Sequence, residues 1–338
     1  MQDRLYIITN ESINLDKDNR FYCDNIDLKS IPEELNKFSK ITIIARHSQK
    51  QRSKKINIDE IKISKNIVTY LIEIFKSLKN DRSKYLIISL SPYTLLASVF
   101  LKIFLKKHYI YLRSDGFREY KAILGFFGPY IYSFIFQVGV FKANLIACRK
   151  HLLRKKNGTI VNPSQLNEKW FKEIKTIAQN KNKLLYVGRM RVEKGIFSLL
   201  NILKDTKFLL TIVTSEKEVK LDEIYNNVNL MNFENNNDEI IDIYDDHSIF
   251  VLPSFTEAHP QVLDESLARC RPVIVFKDIE HVKRDREGVF VCERNLKSFE
   301  ETINYINDNY DDIAGKIKNN KLPTKMSFIS ELKKILST

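Results

Sequence analysis

Phe250 to Phe276 reads FVLPSFTEAHPQVLDESLARCRPVIVF. Ile249 to Leu252 is an apolar run of strand length, and Val273 to Phe276 is a second one. Between them lie a polar turn and then a segment of helical character. Strand, helix and strand in that order is the repeating unit of a parallel sheet. Two carboxylates, Glu257 and Glu265, bracket the turn and the helix. With a helix start near Gln261, Glu265 lies a turn into the helix and Glu257 on the loop before it. That arrangement allows both to face one ligand above the sheet edge.

The same alternation runs outward in both directions. Downstream of residue 163, strand candidates are Leu184 to Val187, Phe208 to Val213, Val228 to Asn232, Ile249 to Leu252, Pro272 to Phe276 and Val289 to Val291. Helix candidates are Gly195 to Leu203, Asp238 to Tyr244, Gln261 to Arg269 and Leu296 to Asn309. Upstream, strand-like runs are Leu5 to Thr9, Ile41 to Ala45, Tyr85 to Ser89, His108 to Leu112, Leu145 to Cys148 and Thr159 to Val161. Leu5 to Thr9 is expected to be short and to enter a long polar connection. Ile67, Leu71, Ile74, Phe75 and Leu78 recur at helical spacing, as do Leu95, Val99, Ile103 and Phe104. The pattern predicts two doubly wound α/β domains. Pro163 forces Asn162 out of helix and marks a linker. The expected division is 1–162, then 163–322, then a tail helix over 323–338 that packs back on the first domain. A chain of 338 residues suffices for two such cores.

Charge is divided unevenly. Residues 1–162 hold 29 Lys and Arg against 14 Asp and Glu, and residues 163–338 hold 26 against 28. The first half therefore carries +15 and the second −2. Either the first half attracts an anionic partner, or its surface is simply a solvated lysine-rich one. Ala122 to Phe141 has no formally charged residue over twenty positions, long enough to cross a bilayer. The competing reading is a buried helix, or one lying in a membrane interface. Lys102, Lys106 and Lys107 beside Phe100, Phe104 and Leu105 give the mix of cation and apolar bulk that anionic membrane surfaces attract. Cys23, Cys148, Cys270 and Cys292 are far apart and form no CxxC pair, so they read as reduced thiols of a cytosolic protein. No secretory signal is visible, and the six histidines make no zinc-ligand spacing.

A second segment carries chemistry. Gly188-Arg189-Met190-Arg191-Val192-Glu193-Lys194-Gly195 follows the first strand of the second half and precedes a helix. Gly188 lets backbone approach a ligand, and Arg189 and Lys194 place two cations beside a helix N-terminus. That suits a diphosphate. Taken alone it is equally an ordinary turn with surface cations. Glu265 has the same duality: a solvated carboxylate favoured in a first helical turn, or an acceptor for two vicinal hydroxyls.

Together, GRMRVEKG, PSFTEAHPQVLDES and RPVIV resemble the donor-binding domain of retaining GT-B glycosyltransferases, specifically glycosyltransferase family 4 (glycosyl transferases group 1). Glu257 to Glu265 is similar to that family's E-x7-E motif. The resemblance covers most of residues 160–300. It is looser in the first half, through Ile43-Ile44-Ala45-Arg46 and Leu112-Arg113-Ser114-Asp115-Gly116. It implies the GT-B fold, two Rossmann-like doubly wound domains with a central cleft. Glu265 would then bind the ribose hydroxyls, and Glu257 the transferred sugar. Gly188 and the backbone of Ala258, His259, Pro260 and Gln261 would surround the donor. Arg189 and Lys194 would neutralise the departing nucleoside diphosphate. Catalytic weight falls on Glu257, Arg189 and Lys194, and acceptor-side contacts on Asp115 and Arg46. Asp115 has a second reading as the cap of the turn before Gly116. His259, next to Pro260, reads as a turn residue rather than a base.

Three departures stand out. Asn10-Glu11-Ser12 replaces the family's usual Gly-rich loop after the first strand. Ala258 stands where a glycine is usual, and Arg269-Cys270-Arg271 replaces the small residue before Pro272-Val273. Asp16-Lys17-Asp18 looks like a DxD metal motif but follows no apolar strand, so it reads as a polar loop. The expectation is a metal-independent hexosyltransferase without a cofactor. It would use a nucleotide-sugar donor and a lipid-linked or cell-envelope glycan acceptor, in the cytoplasm and peripheral to the inner face of the membrane. The alternative is a non-catalytic partner of the same fold that binds nucleotide sugars. Nucleic acid is not an expected partner, because aromatic residues of the basic half follow core periodicity rather than a stacking platform.

Overall fold

A computed structural model describes residues 4–79, 83–176, 182–216, 226–232 and 237–337. The chain divides into two units, residues 1–162 with 327–338, and residues 163–326.

In the first unit the strands are β1 (Arg4–Leu15), β2 (Phe21–Cys23), β3 (Lys40–His47), β4 (Lys54–Ile56), β5 (Ile61–Ser64), β6 (Lys84–Ile88), β7 (His108–Leu112), β8 (Asn144–Ala147) and β9 (Thr159–Ile160). The helices are α1 (Ile26–Leu35), α2 (Ile67–Ser77), α3 (Pro92–Ile103), α4 (Gly116–Leu124) and α5 (Gly128–Val140). The parallel order is β5-β3-β1-β6-β7-β8-β9. Ile7, Ile8, Ile43, Ile44, Leu86, Ile87 and Ile110 are buried. Strands covered on both faces read as continuous apolar runs, which is why they were visible in the sequence.

β1 departs from the expected short strand. Its pairing with β3 shifts register between Ile8 and Ser12, and the strand then continues to Leu15. There it pairs antiparallel with β2, which pairs antiparallel with β4. The polar residues that suggested a loop are satisfied by partners distant in sequence. Glu11 Oε1 accepts from Asn25 Nδ2 at 2.7 Å, and Ser12 Oγ accepts from Arg52 Nη2 at 2.8 Å. Asp16 and Asp18, the DxD look-alike, lie in the turn after β1 and both pair with Arg20.

Ala122 to Phe141 does not form one helix. The run Gly116–Val140 is apolar and long enough by composition to cross a membrane, but it breaks at Gly125, whose φ of 61° and ψ of −139° are not helical. The two pieces fold back on each other. A Cβ on Gly116 would lie 2.1 Å from the Tyr132 ring, and the Phe117 and Tyr132 rings meet edge to face at 4.9 Å. The 13-residue α5 alone is about 20 Å long, against a hydrocarbon core of about 30 Å.

In the second unit the strands are β10 (Lys183–Val187), β11 (Leu209–Thr214), β12 (Val228–Asn232), β13 (Ile249–Leu252), β14 (Val273–Phe276) and β15 (Val289–Cys292). The helices are α6 (Ile196–Leu203), α7 (Asn237–Asp245), α8 (Gln261–Ala268), α9 (Leu296–Asp308) and α10 (Tyr310–Ile317). All its strand pairings are parallel, in the order β12-β11-β10-β13-β14-β15. The last helix, α11 (Lys325–Ser337), places Phe328, Ile329, Leu332 and Leu336 in the core of the first unit. Asn162 N donates to Glu331 Oε2 at 3.2 Å and Lys84 Nζ donates to the Leu336 carbonyl at 2.6 Å, fixing the helix at its middle and near its C-terminal end.

Candidate functional site

The strand order of the second unit reverses between β10 and β13. In an open parallel sheet such a reversal leaves a crevice at the carboxyl ends of the two strands, where ligands bind. Those two strands lead into Gly188–Gly195 and into the Pro253–Pro260 turn. The topology therefore sets the two chemistry-bearing segments side by side.

They are also stitched together. Lys194 Nζ lies 2.6 Å from Glu257 Oε1, which accepts in addition from Ser254 Oγ at 2.8 Å. Phe255 N donates to the Glu193 carbonyl at 3.0 Å. Gly195 takes a left-handed φ of +67°, and a Cβ there would meet the Pro253 carbonyl oxygen at 1.9 Å, so the glycine answers both demands. Gly188 is tight as well, since a Cβ on it would sit 2.7 Å from the Tyr186 hydroxyl. That hydroxyl donates to the Arg189 carbonyl at 2.7 Å and shapes the turn. Glu216, just after β11, accepts from Met190 N at 2.7 Å and from Arg191 Nε at 3.2 Å. The Arg189 side chain is exposed, and no partner for it occurs among the described residues. Among the described residues the loop thus presents two cations held by carboxylates, Arg191 and Lys194, and one at liberty, Arg189.

Glu265 lies half-buried on α8, where Tyr244 OH donates to its Oε2 at 2.9 Å. Burial pushes its carboxyl up to about 7, and the neighbouring Asp264 carboxylate acts in the same direction. The tyrosine hydrogen bond opposes both, because it favours the ionised form. A carboxyl poised this way gains most from an added hydroxyl donor.

His259 turns inward. Its Nε2 is 2.7 Å from the Pro163 carbonyl oxygen and 3.5 Å from Asp264 Oδ2, and Arg284 Nη2 is 3.3 Å from its Nδ1. Asp264 also pairs with Arg286 at 2.5 Å. The His259 ring is thus spent on holding the turn. Pro260 has no amide hydrogen, so the expected ring of N–H donors from Ala258 to Gln261 is interrupted at that position.

The Arg269-Cys270-Arg271 run is architectural. Arg269 is buried and pairs with Asp245 Oδ2 at 2.6 Å. Its guanidinium also donates to the carbonyls of Trp170, Lys172 and Glu173 at 3.1, 2.7 and 3.0 Å. Arg271 adds bonds to the carbonyls of Lys175 and Tyr244. The two arginines fasten the 170–175 segment to the sheet domain. Sequence reasoning also missed Arg294, at the exit of β15. Its guanidinium lies 4.1 Å from the Phe255 ring centre and 4.4 Å from that of Phe276, while Nη1 donates to the Pro253 carbonyl at 2.9 Å. The rule that found Arg189, a cation at a strand exit, applies to it equally.

In the first unit, Arg46 lies over the Tyr93 ring at 4.7 Å, with Nη1 3.4 Å from Asn10 Oδ1. Asp115 is the N-cap of α4, accepting from Phe117 N at 3.1 Å, and Arg154 pairs with it at 3.0 Å. Arg113 draws together Asp27 at 3.0 Å, Asn25 at 2.8 Å and Glu11 at 3.4 Å. These groups sit at the carboxyl ends of the parallel strands, where the order of that sheet also reverses, between β1 and β6.

The described geometry, two parallel-sheet α/β domains of Rossmann type, is that of GT-B glycosyltransferases. Sucrose-phosphate synthase (tll1590) from Thermosynechococcus elongatus matches with a TM-score of 0.71 at 15% identity, over 99% of this chain and 98% of that one. Anabaena Alr3699/HepE in complex with UDP matches at 0.69 and 11%, over 100% of both chains. WaaG, a glycosyltransferase involved in lipopolysaccharide biosynthesis, matches at 0.65 and 12%, over 98% of this chain and 99% of that one. The family model for glycosyl transferases group 1 matches residues 167–322. No curated protein sequence matches the chain significantly. Residues 167–322 thus match the glycosyl transferases group 1 model, within a chain of GT-B fold.

Proposed function

We propose that the protein is a retaining, metal-independent glycosyltransferase of family 4 that moves a hexosyl group from a nucleotide sugar to a lipid-linked or cell-envelope glycan. The observation that carries this reading is the pairing of Lys194 with Glu257 at the strand-order reversal, beside the exposed Arg189. On this reading Arg189 and Lys194 take the diphosphate, Glu257 the sugar and Glu265 the ribose hydroxyls. Negative charge grows on the departing diphosphate in the transition state, so fixed cations there lower the barrier without a metal ion. Gly188 and the backbone of Ala258, His259 and Gln261 line the donor. Arg46 serves the acceptor side better than Asp115, whose carboxylate is committed to the α4 cap and to Arg154.

The Alr3699/HepE structures hold UDP and UDP-glucose, which makes uridine nucleotides the first donors to try. The +15 first half and its apolar, lysine-flanked helices support a membrane-borne acceptor reached from the cytoplasmic face.

The test has two layers. A thermal-shift screen with UDP, GDP, ADP and CMP should find a nucleotide that stabilises the protein, by ~2.7 kcal/mol at 100 times its dissociation constant. Release of nucleoside diphosphate from the matching donor should then be lost in Arg189→Ala and Glu257→Ala. A stabilising nucleotide with no turnover of any donor sugar, whatever the acceptor, favours the non-catalytic partner instead. No shift with any nucleotide overturns the donor-site assignment.

A further inference from the structure

We propose that the tip of the α4–α5 hairpin is a wedge that inserts into the interface of an anionic bilayer. This rests on the reading of a membrane-borne acceptor and names the surface that would reach it.

Helix α5 is apolar on both sides. Tyr132, Ile135, Phe136 and Val140 face the core of the unit. Tyr130, Ile131 and Phe134 recur on the opposite side and are exposed. A helix that is hydrophobic all round is normally covered on all sides, and this one is not. The end of α4 and the turn joining it to α5 are more exposed still: Ile123 at 74%, Phe126 at 73% and Phe127 at 68%. Phe126 touches both Phe127 and Tyr130, with ring centres 5.6 Å apart in each case. A break at Gly125 followed by two phenylalanines puts aromatic bulk at the outermost point of the hairpin. Such bulk seats well at the boundary between headgroups and acyl chains.

More apolar surface lies at the other end of α5, away from the tip. An open groove of about 440 Å³ runs between α3 and α5, lined by Val99, Lys102, Ile103, Gln137, Val138 and Phe141. Leu105, just past α3, is 91% exposed. Monomeric proteins seldom leave so much contiguous apolar surface in water without a use for it.

Charge decides the occupant. Residues 96–142 contain seven Lys and Arg against two Asp and Glu, and with Arg113 spent on Asp27 and Glu11 six of the seven remain. Arg118 and Lys121 precede the tip, Lys106 and Lys107 follow the exposed end of α3, and Lys142 reaches over the Phe141 ring. An apolar centre with a basic rim matches anionic lipid, where each basic residue near the surface adds to binding. A second copy of the chain would bring its own basic rim against this one.

The test is flotation of the full chain with vesicles of phosphatidylcholine, alone or mixed with phosphatidylglycerol. Binding to the mixed vesicles is expected, with little to the neutral ones. The double variant Phe126→Ser, Phe127→Ser should lose it roughly tenfold or more, while keeping the nucleotide-induced thermal shift of the unaltered protein. Phe127→Trp should show an emission quenched by brominated lipid, over the buried background of Trp170, the one tryptophan of the chain. Binding that survives the double variant, or no binding to either vesicle, overturns the proposal. So does a dimer in light scattering that the double variant dissociates while vesicles remain unbound. Each of these leaves the donor-site reading intact if the nucleotide shift persists.

Discussion

Lys194 Nζ stands 2.6 Å from Glu257 Oε1, although 63 positions separate the two residues in the chain. Each comes from the exit of a different strand, and the strands are neighbours only because the sheet order reverses between them. The ammonium group is a quarter exposed and the carboxylate is 11% exposed. Such a pair is sheltered enough for its loss to be felt, and open enough for a ligand to enter. On the proposed reading, a diphosphate arriving here would compete with Glu257 for Lys194, and the released carboxylate would turn to the sugar.

The pair can be weighed by a double-mutant cycle. Lys194→Ala leaves Glu257 sheltered with Ser254 as its remaining side-chain partner, and should destabilise the protein by about 1–3 kcal/mol. Glu257→Gln should cost less, because an amide needs no counter-charge. The double variant should lie closer to wild type than the two single losses summed, with a coupling of about 1–2 kcal/mol from urea titration. Activity should not follow stability. Lys194→Ala should lower donor turnover by about 10²–10³-fold at a temperature where all variants are folded.

Glu265 yields a pH prediction with a definite sign. Its folded carboxyl titrates near 7, above the ordinary value of 4.5. Between those values the folded state holds a proton that the unfolded chain has lost, so stability falls as pH rises through that window. Above 7 the full cost persists, at most about 3 kcal/mol at 1.36 kcal/mol per unit. Glu265→Gln keeps an acceptor for Tyr244 and cannot ionise. It should raise the melting temperature at pH 8 and leave it nearly unchanged at pH 4. Nucleotide binding should move the other way. Hydroxyls donate best to the carboxylate, so wild-type affinity should climb by up to tenfold per unit below pH 7 and level off above it. The difference between wild type and Glu265→Gln cancels the titration of the diphosphate itself. A variant that binds as tightly as wild type at pH 8 removes Glu265 from the ribose site.

How far the sequence could be read depends on where each residue finds its partners. Strands buried on both faces announce themselves as apolar runs, and β7 and β13 have the expected limits. The two site segments were legible because Gly188, Arg189 and Lys194 lie within one turn, and Glu257 and Glu265 within a turn and a helix. What was hidden depends on distant residues. Asn10, Glu11 and Ser12 look like a loop until Arg46, Asn25 and Arg52 are beside them. The break at Gly125 was hidden by the unbroken hydropathy around it, since only the backbone angles of that glycine separate a hairpin from a single long helix. Arg269 and Arg271 read as a departure from a motif, because their partners are backbone carbonyls, which have no sequence signature.

Those carbonyls supply the last prediction. Arg269 is 1% exposed and bonds at once to Asp245 and to the carbonyls of Trp170, Lys172 and Glu173. Removing the guanidinium strands one charge and several acceptors in a dry place. Arg269→Ala should therefore cost about 3–5 kcal/mol, and Arg269→Lys should recover only part of it, because an ammonium has three donors on one atom and cannot span the same fork. Asp245→Asn should also be costly, since Arg269 donates to both carboxylate oxygens and an amide would turn an N–H against one of those donors and remove the counter-charge. Trp170 reports on the site directly. It is buried, its ring meets Tyr244 at 5.5 Å, and it is the chain's one tryptophan. Unfolding followed by tryptophan emission thus reads the second unit, while circular dichroism reads both. In Arg269→Ala the emission transition should move to lower urea and part from the dichroism transition. A variant whose two curves shift together would mean that the two units unfold as one.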